Sequence, residues 1–249
     1  MPRKSIARGK NLGVKYEEKI NKILKVKELQ LISTSSAGAS DAPDGYFWYN
    51  QVRYPIEIKR QNADFAQVEL RWNKKRGFFY SEESKNPSFV NFLMNNTEFL
   101  DEINKIWTDL PRKYTSENST PEDRYWDLDH FKDIKKHITI SYIERFYNLK
   151  EPPVYYIQIQ NRGFYFLEKD IANLGVPRIN GKPYLRARVK TRSTSTNKWG
   201  FLVAIKMPGI NPSAYDIEEL ENRKFPFPEG SHIADKQKSI NNFIRIPKS

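Results

Sequence analysis

Cysteine is absent from the 249-residue chain, which removes disulfide frameworks, thiol nucleophiles, thiolate zinc sites and iron–sulfur clusters together. Three histidines remain, His130, His137 and His232, which support neither a histidine-metal finger nuclease nor a zinc deaminase. No stretch approaches the roughly 18 consecutive apolar residues of a membrane span. No Gly-rich phosphate loop of the Walker type occurs either, which argues against an NTP-driven motor. The opening MPRKSIARGK is basic without an apolar segment behind it, and reads as a solvated or phosphate-touching arm rather than a signal peptide. The expectation is a soluble, intracellular, cytoplasmic protein with no membrane partner.

What is present is cationic. The 42 Lys and Arg against 30 Asp and Glu leave +12, a field that draws polyanions, nucleic acid first among them. With 38% hydrophobic and 14% aromatic residues the chain has enough apolar material to bury a core, in one large domain or two small ones.

Periodicity predicts a helix from about Leu12 to Lys27, a short strand over Leu29–Thr34, and then a loop through STSSAGASDAPDG. Tyr46–Tyr49 and Val52–Arg60 read as a hairpin joined by Asn50-Gln51, and Asn62–Trp72 as a helix after it. Pro87–Leu149 reads as mainly helical, broken by an exposed loop over Arg112–Glu122. Beyond Pro152-Pro153 the period becomes that of strands, in VYYIQIQ, GFYFL, YLRARVKTR and GFLVAIKMP, with a short helix near Lys169–Leu174. The tail from Asn211 is rich in Pro and charge and is expected to wrap the surface.

The chemistry concentrates in SDAPDGYFWYNQVRYPIEIKRQNADFAQVELRW. Asp44 heads one strand; Glu57 and Lys59 lie two apart on the next, so alternation sends both to one face and Ile58 to the other. If the hairpin forms, three charged groups converge. Two carboxylates holding Mg²⁺ beside an ammonium supply what phosphodiester hydrolysis needs: neutralised phosphate, an activated water and a stabilised leaving oxygen. Lys59 would orient or help deprotonate that water, its pKa lowered by the metal. The plain alternative is a surface pair on a solvated strand edge.

In YLRARVKTR, Arg186, Arg188, Lys190 and Arg192 share one parity and Leu185, Ala187, Val189 and Thr191 the other, so a strand here presents a cationic ladder to DNA. Lys198 follows in the polar RSTSTNK, which suits a loop that orders on phosphate or bases. An exposed basic sheet face without a partner is the alternative. Gln158 and Gln160 are candidates to read adenine.

Pro43-Asp44 with Glu57-Ile58-Lys59 resembles the PD-(D/E)xK nuclease superfamily. The pattern is most similar to the small monomeric MspI-like and HinP-like restriction endonucleases. These also run through a Ser-Asp, a strand pair ending in x-x-Lys, a helix with glutamine and tryptophan at the spacing of Gln67 and Trp72, and a β-rich basic half. The resemblance implies an α/β fold, a restriction-endonuclease-like core of mixed sheet flanked by helices in residues 1–110. A helical bridge and β-rich DNA-recognition region would fill 111–249. It implies Mg²⁺-dependent cleavage of double-stranded DNA at a short specific sequence by a monomer or homodimer. Asp44 and Glu57 would hold metal, with Asp41 of Ser40-Asp41 the alternative ligand. Glu17 in Gly13-Val14-Lys15-Tyr16-Glu17 and Gln67 would shape the surrounding shell; each is equally readable as an exposed side chain. A structure-selective junction or repair nuclease, and a non-catalytic DNA-binding protein on a nuclease fold, are the competing functions.

Overall fold

The computed structural model describes residues 5–26, 42–49, 52–73, 78–80, 87–95, 97–109, 132–190 and 200–221. They are α and β mixed, in two compact units. One comprises Met1–Ala63, Ile140–Gly181 and Gly209–Ser249, the other Asp64–Thr139 and Lys182–Pro208.

In the first unit, α1 (Ser5–Val26) buries Tyr16, Ile20, Ile23 and Leu24, an i, i+4, i+7, i+8 stripe, against a four-stranded sheet. The strands are β1 (Gly45–Tyr49), β2 (Val52–Lys59), β6 (Tyr156–Ile159) and β7 (Gly163–Phe166), in the order β1-β2-β6-β7. β1 and β2 form the expected antiparallel hairpin, with Gly45 opposite Ile56. β2 then pairs parallel with β6, Glu57 opposite Ile157, so the sheet is mixed. Ile56 and Ile58 lie in the core with α1, and alternation turns Glu57 away from them. The helix α4 (Ile140–Asn148) buries Ile143, Glu144, Phe146 and Tyr147, and a 3₁₀ turn, Glu218–Glu221, closes the described chain.

The second unit is a five-stranded antiparallel sheet. β3 (Ala66–Asn73), β4 (Phe78–Tyr80), β5 (Ile134–His137), β8 (Tyr184–Lys190) and β9 (Gly200–Lys206) run in the order β4-β3-β9-β8-β5. Leu70, Val68, Ala187, Leu185, Val203 and Ile205 are buried on it, and α2 (Pro87–Met94) and α3 (Thr97–Asp109) belong to the same unit.

Three expectations are corrected. Asn62–Trp72 is not a helix: Ala66, Val68 and Leu70 are buried while Gln67 is exposed, a period of two that makes it β3. The helical reading up to Leu149 is interrupted, because Ile134–His137 pairs with β8 as an edge strand before α4 begins. Lys169–Leu174 is a turn, not a helix. The Asp170 carboxylate accepts from the N–H groups of Leu174 (2.9 Å) and Gly175 (2.6 Å) and from the Tyr156 hydroxyl (2.7 Å), competing with helical bonding. The strand expected over Leu29–Thr34 and the loop over Arg112–Glu122 lie outside the described residues. Among the described residues no helix is long and apolar enough to cross a membrane.

Candidate active site

Asp44 is placed by its neighbours in sequence and by α1. Asn21 Nδ2 donates to the Asp44 carbonyl at 3.0 Å, and a Cβ on Gly45 would overlap Asn21 Oδ1, so glycine leaves the Asn21 amide its place here. The Asp44 side chain turns onto the end of β2, where Oδ2 accepts from the Ile58 N–H at 2.9 Å. Lys59 Nζ lies 3.5 Å from the same oxygen and is ion-paired with Glu57 Oε1. The three groups that the hairpin was expected to assemble are therefore in contact.

A fourth charge joins them. Lys150, just past α4, donates from Nζ to Glu57 Oε2 at 2.8 Å, and the Tyr147 hydroxyl also hydrogen-bonds Glu57. Glu57 is 1% exposed and Lys150 3%, so this is no solvated strand edge. Two carboxylates and two ammonium groups balance within the cluster, which is what burial of so many charges demands.

The environment separates the two acids. Burial by itself raises the Glu57 pKa, but Lys150 and Lys59 outweigh it and hold the carboxyl below its ordinary value. Burial, and then the negative Glu57 beside it, push Asp44 upward against the pull of Lys59. For Lys59, burial favours the neutral amine, but Asp44 and Glu57 prevail and keep the ammonium well above its ordinary value. The lowered pKa expected for Lys59 is thus not produced by the protein groups around it. Tyr147 is held neutral by burial and then by Glu57.

Glu17, half-buried on α1, feels this cluster. Burial first, then Asp44, push its pKa up to about 7. Among the described residues no three His, Asp or Glu side chains gather closely enough to share one metal ion. The hard-oxygen donors that suit Mg²⁺ are the two carboxylates already sharing the Lys59 ammonium. The Ile58 N–H and the Lys59 ammonium both meet the Asp44 carboxylate at Oδ2, and the side chain is 18% exposed. Asp41 lies outside the described residues.

Gln67 belongs to the other unit, exposed on β3 rather than on a helix. It stands in one cross-strand row with Lys135, Arg186 and Ala204, and the next row on that face is Arg188, Leu202 and Glu69. Leu185 and Ala187 are buried on the opposite face while Arg188 is exposed, as the ladder's parity predicted. Arg186 Nε has no hydrogen-bond partner among the described residues and lies 3.9 Å from Asp133. The side chain of Lys190 and the whole of Arg192 and Lys198 lie outside the described residues.

Gln158 does not read bases. It is fully buried, donating to Asp216 (2.8 Å) and Tyr16 (3.3 Å) and accepting from the Ile217 N–H (3.1 Å). Sequence reasoning missed Lys150, Tyr147 and Asn21. Gly45 directly after Asp44 is the one local signal that marked a close approach.

No protein-family model matches the chain, and no curated protein matches it. Among solved structures, a chain described as HhaI endonuclease in complex with DNA is similar at 13% identity, over 92% of this chain and 98% of that one, with a TM-score of 0.34. A superposition that loose carries neither fold nor function across.

Proposed function

We propose that the protein is a Mg²⁺-dependent endonuclease of the restriction type, hydrolysing phosphodiester bonds of double-stranded DNA at a short specific sequence. The observation that carries this reading is the meeting of Asp44, Glu57 and Lys59 at the end of one hairpin, with Lys59 Nζ touching both carboxylates. That is the constellation on which the resemblance to PD-(D/E)xK nucleases rests.

Asp44 and Glu57 would hold the ion, which when bound supplies Lewis-acid neutralisation of the phosphate. Lys59, kept protonated by its neighbours, donates hydrogen bonds to the attacking water and offsets charge gathering on the phosphate. Glu17 sits at the edge of this arrangement as a carboxyl that changes charge near neutrality. Recognition falls to the β-rich part of the chain. Arg186 and Arg188 project from one face of β8, and Arg186 retains a donor without a hydrogen-bond partner among the described residues. Gln67, in the same row, is proposed to touch DNA there rather than the metal.

Incubation of plasmid with the full chain in Mg²⁺, followed by sequencing of the ends, tests the reading. Discrete, reproducible bands with a common end sequence are expected. Cleavage confined to junctions or damaged duplex would replace it with a structure-selective nuclease, and no nicking in Mg²⁺ or Mn²⁺ would leave a DNA-binding protein.

A further inference from the structure

Both oxygens of Glu57 are engaged, each by a different lysine, and the two lysines are not equivalent. Lys59 shares the strand with Glu57, also faces Asp44, and is 17% exposed. Lys150 arrives from elsewhere in the chain, is 3% exposed, and among the described residues is ion-paired with Glu57. Its ammonium stands 5.2 Å from the centre of the Tyr147 ring and 5.9 Å from that of Phe146, which favour a cation and hold it away from water. Its root is fixed as well, since the Tyr147 carbonyl accepts from the N–H groups of Lys150 (3.3 Å) and Val154 (3.2 Å). So deep a lysine is no phosphate contact.

We infer that Lys150 is a positioning residue for the proposed reaction, the buried counter-ion that holds Glu57 in place through Oε2. A buried carboxylate whose one counter-charge is drawn elsewhere is left unpaired away from water, which is costly and lets it turn from its place. With Lys150 on Oε2, Glu57 retains one buried counter-charge when the Lys59 ammonium turns to the substrate. One lysine holds the acid and the other meets the phosphate. The inference rests on the nuclease reading for its chemistry, but its test does not rest on cleavage.

The full chain is titrated with Mn²⁺ by calorimetry as wild type, Lys150→Gln and Lys150→Arg, with circular dichroism to confirm folding. Gln keeps a donor to Glu57 but no charge; Arg keeps both. Loss of a group that orients a metal ligand weakens affinity by about 10- to 100-fold. The expected result is at least a tenfold weaker Mn²⁺ affinity for Lys150→Gln, largely restored in Lys150→Arg, with duplex binding in EDTA unchanged. Equal Mn²⁺ affinity in folded Lys150→Gln and wild type overturns the inference. If Lys150→Gln does not fold, lysine-Nζ NMR of the wild type decides. On adding Mg²⁺ the Lys59 signal is expected to move while that of Lys150 stays, and a Lys150 signal that moves with it overturns the inference. Should wild type cleave no DNA, the nuclease reading fails, and the Mn²⁺ affinities still decide for or against Lys150.

Discussion

The buried acids answer to different masters, and substitutions should separate them. Lys59→Ala removes the ammonium that both carboxylates share, so cleavage should fall below detection in a timed digest while duplex affinity, measured by gel shift, changes little. Gly45→Ala should act from beside the site. The new methyl group displaces Asn21 from the Asp44 carbonyl, and overpacking of this kind costs about 1–3 kcal/mol. Chemical denaturation should show that loss together with slower cleavage; unchanged rates would mean Asp44 is placed without Asn21. Glu17 offers a pH test. Its folded pKa, about 7, lies above the ordinary 4.5, so its contribution to stability is complete below the ordinary value and is lost as pH rises through about 7. In EDTA at pH 8, Glu17→Gln should therefore melt about 2–4 °C higher than wild type, with little difference at about pH 4.

Among the elements, α4 matters most, because it carries Tyr147 and leads into Lys150. It is tied down by Glu144, whose carboxylate accepts from Arg178 Nε and Nη2, both at 2.7 Å, and from the Glu168 N–H at 3.0 Å. Burial opposes its ionisation, but Arg178 and that N–H prevail and hold the pKa below the ordinary value. Its contribution is present above the ordinary value and lost as pH falls through the depressed one. Glu144→Ala should cost about 1–3 kcal/mol at pH 7 by urea denaturation, and the gap from wild type should narrow as pH falls below the ordinary carboxylate range. Elements were legible in sequence where their period was unopposed. Ile56 and Ile58 against Glu57 and Lys59 mark β2 without ambiguity. Ala66–Asn73 alternates as strictly, but Ala, Gln, Glu, Leu and Arg are good helix formers, and propensity there masked the stronger signal. Asp44, Glu57 and Lys59 were legible because one hairpin gathers them. Lys150 was not, since 93 residues separate it from Glu57 and no local pattern reports a pairing made by the fold.

For the whole molecule, the proposed DNA partner would be held, given +12 and the row of Lys135 and Arg186, mainly by phosphate contacts. Affinity for a duplex in EDTA should fall at least about tenfold between about 50 and 200 mM salt, and Arg188→Ala should lower the slope of log K against log salt by about 1. A flat salt response would remove nucleic acid as the partner of that face. The order in which the first unit's pieces occur along the chain has a consequence for synthesis. β2 emerges from the ribosome early, but the strand beside which it lies parallel, β6, and the lysine that neutralises Glu57 are translated only after residues 64–139. A nascent polypeptide halted before residue 140 bears Asp44, Glu57 and Lys59 on a hairpin with neither parallel neighbour nor second cation. The charged cluster is thus completed late in translation.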